Sequence, residues 1–321
     1  MISTFYKLFM MTRPVNIVIA IITLLVGYTL LQHNPTAPVL VLQMLGFATA
    51  IGFANIQNDI LDLECDKLSH PERPLATGEV SVKVARITCY ILAVMTLLCG
   101  IGDSVIQNIR FIDIVKDPEH ALDFGWMGAL ILSFPMWFFA LLCALLIAYN
   151  RKLKRSPALK NITVAFLCTT PLLYAAQHFF NFSNHDFPEE HMWTIIPAIP
   201  FAFLLTIARE IYKDLEDKAG DLKAGIMTFP LVVGDNVARR LAGDIIIFTW
   251  ISLPVPVFFL DKLFDHNYPP IFLAMTAATL TPCFFIVIMS ASSQNYRRAQ
   301  TFTKFAMLLG LISLLFCSIV Q

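Results

Sequence analysis

Charge is the property that this sequence has least of. Only 14% of its 321 residues are Asp, Glu, Lys or Arg, whereas 57% are hydrophobic, and the mean hydropathy is +0.68. A typical soluble domain is about 25% charged and 45–50% apolar. The composition therefore excludes an ordinary water-soluble protein and favours a chain that is embedded in a lipid bilayer.

The sequence also lacks the patterns of several other protein classes. None of its seven cysteines forms a CxxC pair and most lie inside apolar runs, so we expect neither a disulfide framework nor a zinc site. Lysine plus arginine equal aspartate plus glutamate at 23 each, so no net charge draws the chain to nucleic acid. Any charge signal must come from where the few charges are placed.

Apolar runs that are long enough to cross a bilayer recur along the whole chain. A spanning helix needs about 20 mostly apolar residues. Nine segments meet this requirement: 15–32, 38–60, 81–101, 127–149, 159–180, 193–212, 237–260, 270–292 and 302–320. The sequence thus predicts an all-α polytopic membrane protein, with residues 1–321 forming a single transmembrane domain. The long 102–126 connection suggests no function.

The basic residues indicate how this domain is oriented. With nine spans, 20 of the 23 lysines and arginines fall on the side of the N-terminus, and only Arg110, Lys116 and Lys262 fall on the other. Because short cytoplasmic loops carry an excess of Lys and Arg, we expect the N-terminus and its loops to be cytoplasmic.

Two acidic motifs lie at the cytoplasmic ends of spans two and six. They read NIQNDILDLECD at 55–66 and EIYKDLEDKAGD at 210–221. An offset of 155 residues aligns them: Asn55 with Glu210, Asn58 with Lys213, Asp59 with Asp214, Asp62 with Asp217, and Asp66 with Asp221. Because polar residues carry this match, apolar bias does not explain it, and it predicts an internal repeat of four-helix halves.

Helical spacing turns each motif into an acidic stripe. At about 100° per residue, the aligned positions of one motif fall within an arc of about 100°, provided that the helix continues through them. Carboxylates near a membrane are costly and repel one another. Mg²⁺ relieves both costs and recruits substrate phosphates to its shell. A single motif also fits a solvated helix end; two motifs in register favour a metal-bound diphosphate site.

The motifs and their surroundings resemble the UbiA superfamily of intramembrane prenyltransferases. The resemblance rests on NDILDLECD with the RP pair and Gly78 after it, KDLEDKAGD followed by KAGI, Arg13-Pro14 before span one, and Tyr149 with Lys154 between spans four and five. It covers nearly the whole chain. It implies nine transmembrane helices around a central cavity with a cytoplasmic active site, a prenyl diphosphate substrate and Mg²⁺ as cofactor.

The resemblance also implies roles for individual residues. Six aspartates would be the catalytic and metal-binding residues: Asp59, Asp62, Asp66, Asp214, Asp217 and Asp221. Eight residues would bind substrate: Asn16, Asn55, Asn58, Lys67, Arg73, Tyr149, Lys154 and Lys213. Lys213 stands where the first motif has Asn58, so the two halves are not equivalent ligand sets.

The acceptor of the prenyl group is open at this point. The second motif and the PERPLATGEVS loop are most similar to digeranylgeranylglyceryl phosphate synthase-like members, which implies a glycerol-phosphate acceptor. An aromatic acid of quinone biosynthesis, or another hydrophobic acceptor, is the alternative on the same scaffold. A membrane cation or lipid transporter is the alternative of another class, because internal repeats and intramembrane carboxylates also occur there.

Overall fold

The computed structural model describes residues 2–31, 33–114, 133–177, 195–223, 225–255 and 270–320. Within these ranges every regular element is a helix. The α-helices are α1 (Ile2–Met11), α2 (Pro14–Leu30), α3 (Ala37–Leu61), α4 (Leu63–Ser69), α5 (Val82–Ile114), α6 (Phe134–Arg151), α7 (Pro157–Ala175), α8 (Ala198–Lys223), α9 (Phe229–Val233), α10 (Asp235–Ile251), α11 (Pro270–Ser292) and α12 (Tyr296–Val320). A short 3-10 helix spans Leu153–Arg155.

Each predicted span overlaps a helix, and some of these helices are long and apolar enough to cross a membrane. Among the described residues, four segments are long and apolar enough: Ala37–Leu61, Val82–Gln107, Phe134–Arg155 and Pro157–Ala175. The bent pair Thr4–Met11 and Pro14–Leu30, at 49°, makes a fifth if it is one span. The chain is therefore an all-helical, multi-pass membrane protein, and the number nine stays a prediction.

The predicted end of span three differs from the structure. We expected span 81–101 to give way to a connection over 102–126, but α5 continues without a break to Ile114. No Pro or Gly falls between Asp103 and Ile114, so the helix has no local reason to stop. The rest of that segment lies outside the described residues.

The chain divides into two compact units, and the first is built around α3. This unit comprises Met1–Ile22 and Pro35–Lys152. In it α3 packs against α1, α4, α5 and α6. One polar contact also joins α3 to α5, because Gln43 Nε2 donates to Asp103 Oδ2 at 3.0 Å. Within α5, Gln107 Nε2 donates to the other carboxylate oxygen of Asp103 at 2.8 Å. In membrane proteins such contacts help to hold helices together.

A phenylalanine packed between two glycines sets the spacing of α3, α5 and α6. Phe139 of α6 is fully buried. A Cβ atom added at Gly46 of α3 would lie 2.5 Å from Phe139 Cζ, and one added at Gly100 of α5 would lie 3.1 Å from Phe139 Cβ. Phe47 adds an edge-on ring contact to Phe139, with centroids 5.4 Å apart. The absence of a side chain at Gly46 is therefore what admits the Phe139 ring.

We expect Gly46→Ala to destabilise this unit by about 1–3 kcal/mol, because the new methyl group overpacks a ring that has no room to move. A lower midpoint of thermal unfolding in detergent would show it. Gly310→Ala is the matched control, since a Cβ there meets nothing within 4 Å. Adding Phe139→Leu to Gly46→Ala should recover part of the lost stability. If Gly46→Ala unfolds at the same temperature as the wild type, the close packing of Gly46 against Phe139 is contradicted.

The second unit is built around α8. It comprises Thr23–Asn34 and Leu153–Gln321. Here α8 packs against α7, α9, α10 and α12. Its buried face, which includes Leu205, Ala208, Tyr212 and Leu215, joins one hydrophobic core with residues of α10, α11 and α12. Each acidic motif is thus carried by the central helix of its own unit.

Candidate active site

The first motif lies where α3 ends, and the helix does not continue unbroken through it. Asp62 interrupts it with φ −95° and ψ 5°, between α3 and α4. Its backbone N–H still donates to Asn58 O at 2.9 Å, and Asp66 N–H donates to Asp62 O at 2.8 Å. One acidic stripe requires a continuous helix, and this condition is not met here because Asp62 lies at the break between α3 and α4.

Two arginines hold the buried carboxylates of the first motif. Asp59 and Asp66 are both buried. Arg73 Nη1 lies 2.8 and 2.7 Å from the two carboxylate oxygens of Asp66, and 3.7 Å from Asp59 Oδ1. Arg13 Nη2 lies 3.5 Å from Asp59 Oδ1. Arg73, predicted from the loop after the motif, therefore joins its first and last aspartates.

Arg13 reaches Asp59 from a strained backbone. It sits between α1 and α2 with φ +57°, the left-handed region that residues with a Cβ rarely adopt. Asn55 Nδ2 donates to Thr12 O at 3.0 Å and so holds the same turn against α3. Asn55, which we predicted to bind substrate, also holds the α1–α2 turn through this hydrogen bond.

Three other predicted residues of this unit lie on α2, α4 and α6. Lys67 pairs with Glu64 at 2.8 Å on an exposed face. Asn16 is exposed near the start of α2. Tyr149 is half-buried, and its neighbour Asn150 donates to Ala54 O and Gln57 Oε1, each at 2.9 Å. Sequence reasoning overlooked this Asn150–Gln57 contact.

The second motif lies in a single continuous helix, unlike the first. Asp214, Asp217 and Asp221 all fall within α8. Asp214 is almost fully buried, whereas Asp217 is exposed and Asp221 is half-buried. Within the described ranges, neither Asp217 nor Asp221 forms an ion pair. The aligned motifs therefore differ in backbone geometry.

Two side chains of α7 hold the buried carboxylate of the second motif. Lys160 Nζ donates to Asp214 Oδ1, and Asn161 Nδ2 donates to Asp214 Oδ2 at 3.1 Å. Glu210, one turn earlier on α8, is buried and pairs with Arg209 at 2.7 Å. Lys160 and Asn161 were not among the predicted site residues. A lysine at the start of a predicted span is costly there, which is the signal that points to a partner.

Electrostatics make the second motif a place that favours cations. Burial raises the pKa of Asp214 above its ordinary value, and Lys160 offsets only part of that effect. Burial also raises the pKa of Asp221, and the neighbouring carboxylates of Asp214 and Asp217 oppose its ionisation further. These carboxylates compete for too little positive charge, and a bound cation relieves the competition.

The carboxylates of the two motifs fit Mg²⁺ in chemistry, although the described residues alone do not form a complete coordination shell. Among the residues that the structure describes, no three His, Cys, Asp or Glu side chains are close enough to hold an ion together. Mg²⁺ does not need three, since it keeps several waters and takes one or two carboxylates plus substrate phosphates. Carboxylates that form no ion pair within the described ranges, such as those of Asp217 and Asp221, suit that mode.

The sequence matches one known protein family along most of its length. The model of the "UbiA prenyltransferase family" matches residues 20–112 and 121–317. The chain belongs to this family. The match runs through both compact units, and membership in a family of prenyltransferases confirms the enzyme prediction and sets aside the transporter alternative.

Individual UbiA relatives agree with this assignment. The digeranylgeranylglyceryl phosphate synthase of Methanopyrus kandleri is 28% identical over 305 residues, which cover 95% of this chain and 96% of the relative. A solved structure concerning digeranylgeranylglyceryl phosphate synthase in membranes has a TM-score of 0.69 at 19% identity, and the match covers 99% of this chain and all of that one. An Archaeoglobus fulgidus UbiA homologue, solved with DMAPP and Mg²⁺, has a TM-score of 0.58 at 18% identity, covering 95% of this chain and 99% of that one. These structures show that this UbiA-family chain has the UbiA fold.

Proposed function

We propose that this UbiA-family enzyme transfers an isoprenyl group from a prenyl diphosphate to a hydroxyl of a glycerol-phosphate lipid and depends on Mg²⁺. One observation carries the proposal: the first aspartate of each motif is buried and held by basic side chains, Asp59 by Arg13 and Arg73, and Asp214 by Lys160. Burying charge in this way is costly. Buried aspartates that are paired with cations are therefore better explained by a substrate-binding site than by a solvated helix end.

The residues of the two motifs supply what ionisation of a prenyl diphosphate requires. When bound, Mg²⁺ supplies positive charge that neutralises the departing diphosphate. Asp59, Asp62, Asp66, Asp214, Asp217 and Asp221 are proposed to hold it. Arg73 and Lys154 are proposed to bind diphosphate oxygens, and Asn16, Asn58, Lys67 and Tyr149 to line the substrate site. Apolar surroundings exclude the water that would capture the allylic cation.

The proposal also includes the number of membrane crossings, the internal repeat and the orientation in the membrane. We propose one transmembrane domain with nine crossings and an internal repeat of four-helix halves around a central cavity, with the N-terminus and the active site on the cytoplasmic side. The distribution of 20 of the 23 lysines and arginines supports this orientation. The family model, which runs through both compact units, supports the single domain.

The acceptor is proposed from relatives rather than from the diphosphate site. The Methanopyrus kandleri relative is named as a digeranylgeranylglyceryl phosphate synthase and aligns along nearly the whole chain. The predicted cytoplasmic connection 150–158 adds Lys152, Lys154 and Arg155 for a phosphate-bearing acceptor. Prenylation of an aromatic acid is the competing outcome of the test.

A product analysis tests the proposal. Purified enzyme is incubated with labelled geranylgeranyl diphosphate, Mg²⁺, and either a glycerol-phosphate ether lipid or 4-hydroxybenzoate, and the lipids are examined by mass spectrometry. We expect an ether product from the glycerol phosphate. A prenylated hydroxybenzoate without that ether would overturn the acceptor assignment.

Removal of the metal is a separate prediction. We expect EDTA to abolish product formation and added Mg²⁺ to restore it, because carboxylates and diphosphate repel each other without a cation between them. Dialysis into EDTA followed by titration with Mg²⁺ measures the effect. Full turnover in metal-free buffer contradicts the role of the six aspartates.

A further inference from the structure

A basic stripe on α8 lies beside its acidic stripe. Arg209, Lys213 and Glu216 are spaced by four and three residues, so they share one face of the helix. The acidic stripe, formed by Glu210, Asp214, Asp217 and Asp221, is shifted from it by one residue, or about 100° around the helix axis. The same helix thus presents two cations and one carboxylate on one face and four carboxylates on the adjacent face.

The basic stripe is completed by α12. Gln300 Nε2 of α12 donates to Glu216 Oε2, which aligns the two packed helices. Lys304 lies one turn further along α12 and interacts electrostatically with Arg209 and Lys213. The helices therefore run antiparallel here, and three cations from two helices converge: Arg209, Lys213 and Lys304. We call them the basic cluster.

The three cations of the basic cluster have two carboxylates nearby, Glu210 and Glu216, and both also interact electrostatically with Lys304. Glu210 pairs with Arg209 at 2.7 Å, and Glu216 accepts the hydrogen bond of Gln300. In the described part of the chain, Lys213 and Lys304 form no ion pair. Arg209 Nε is buried and has no hydrogen-bond partner there. Cations held together without enough counter-charge repel one another, so the cluster favours an anionic ligand.

The acidic stripe, in contrast, contacts α7. Asp214 is bound by Lys160 and Asn161, and Lys160 also interacts with Glu210 and Asp221. The two stripes of α8 therefore have different helical neighbours. Basic residues at helix ends also act as topological anchors, but that role does not require side chains of two packed helices to converge.

We propose that Arg209, Lys213 and Lys304 bind the phosphate monoester of the acceptor lipid. Arginine and lysine are the side chains that bind phosphate oxygens most strongly. The assignment moves Lys213 from the diphosphate, where sequence reasoning placed it, to the acceptor. It places the acceptor phosphate one helix face away from the carboxylates that serve the diphosphate. It rests on the proposed glycerol-phosphate function.

A binding experiment tests this site without turnover. The full-length enzyme in neutral detergent with EDTA and no prenyl diphosphate is titrated calorimetrically with 1-O-hexadecylglycerol phosphate, and separately with 1-O-hexadecylglycerol. We expect Lys304→Gln to weaken binding of the phosphate lipid roughly tenfold, as expected for one lost hydrogen bond to a charged group. Binding of the neutral lipid should not change.

The matched control is Arg298→Gln, which removes one charge from the same helix. Its guanidinium lies over the Phe302 ring, 5.6 Å from the centroid. Lys304 is exposed, so its replacement should leave the fold intact. Lys304→Arg, which keeps the charge, should retain most of the affinity. In steady-state kinetics, Lys304→Gln should raise KM for the acceptor but not KM for the prenyl diphosphate.

The outcomes separate this inference from the proposed function. If the wild type makes the glycerol-phosphate ether but Lys304→Gln binds the phosphate lipid normally, the basic cluster is not the acceptor site and the function stands. If the wild type prenylates only hydroxybenzoate, the proposed function itself fails. If phosphatidylglycerol, a phosphodiester, displaces the phosphate lipid at equal concentration, the cluster is a general anionic-lipid site and the assignment is overturned.

Discussion

Asp62→Ala and Asp217→Ala should each reduce prenyl transfer by a factor on the order of 10²–10³, comparable with the loss of one preorganised charge contact at a reacting centre. Asp217 is exposed and forms no ion pair with another described residue, and Asp62 lies at the break between α3 and α4. Because neither carboxylate is deeply buried, the variants should still fold. Initial rates of product formation, together with the unfolding midpoint, measure both effects.

Glu64→Ala is the control for this loss of charge. Glu64 lies two residues from Asp62, is largely exposed and pairs with Lys67, so its removal should leave the rate close to that of the wild type. Normal rates in either aspartate variant would remove that residue from the mechanism. An unfolded Asp217→Ala protein would contradict its exposed position instead.

Lys160→Met should destabilise the second unit by about 3–5 kcal/mol, the usual cost of removing one partner of a buried ion pair. The change leaves the Asp214 carboxylate almost fully buried, and the amide of Asn161 is then its one hydrogen-bond donor among the described residues. The unfolding midpoint in detergent should fall accordingly. Lys152→Met, which replaces an exposed lysine, is the matched control and should melt with the wild type.

A second substitution distinguishes the ion pair from a packing defect. Lys160→Met with Asp214→Asn removes the buried charge, so most of the stability should return while prenyl transfer stays low. A double variant that remains as unstable as Lys160→Met would show that the lysine acts through packing. Equal midpoints for Lys160→Met and wild type would show that the pair contributes nothing.

The cost of Lys160→Met should also depend on pH. Burial already raises the pKa of Asp214, and removing Lys160 takes away the charge that opposes this shift. A carboxyl whose pKa is higher in the folded than in the unfolded state favours folding when protonated, and that contribution is lost as the pH rises through the folded-state pKa. The variant should therefore lose less stability at pH 5.5 than at pH 8. A loss that does not change with pH would mean that Asp214 stays neutral or stays charged throughout.

The positions of the helices were largely predictable from the sequence because apolar runs are a local property. Each predicted span overlaps a helix, and Pro at the first turns of α3, α6 and α7 marks where these helices begin. The boundary of α5 was wrong because a helix that lacks a local stop signal continues past its apolar run.

The motifs were predictable because they are local repeats of charge, but their geometry was not. The same alignment joins Asp62 to Asp217, yet Asp62 lies at a helix break and Asp217 inside a continuous helix. Neither Pro nor Gly marks that break. Tyr212, which lies within the second motif, is fully buried in the hydrophobic core of the second unit.

The sequence by itself determined the membrane class, the two aspartate motifs and their resemblance to UbiA prenyltransferases. Each of these follows from the composition or from the spacing of residues along the chain. Only the tertiary structure decided which counter-charge each aspartate receives. Lys160 is 54 residues from Asp214, and Arg13 is 46 residues from Asp59. Pairing over such separations follows from how helices pack against one another, and no local pattern encodes it.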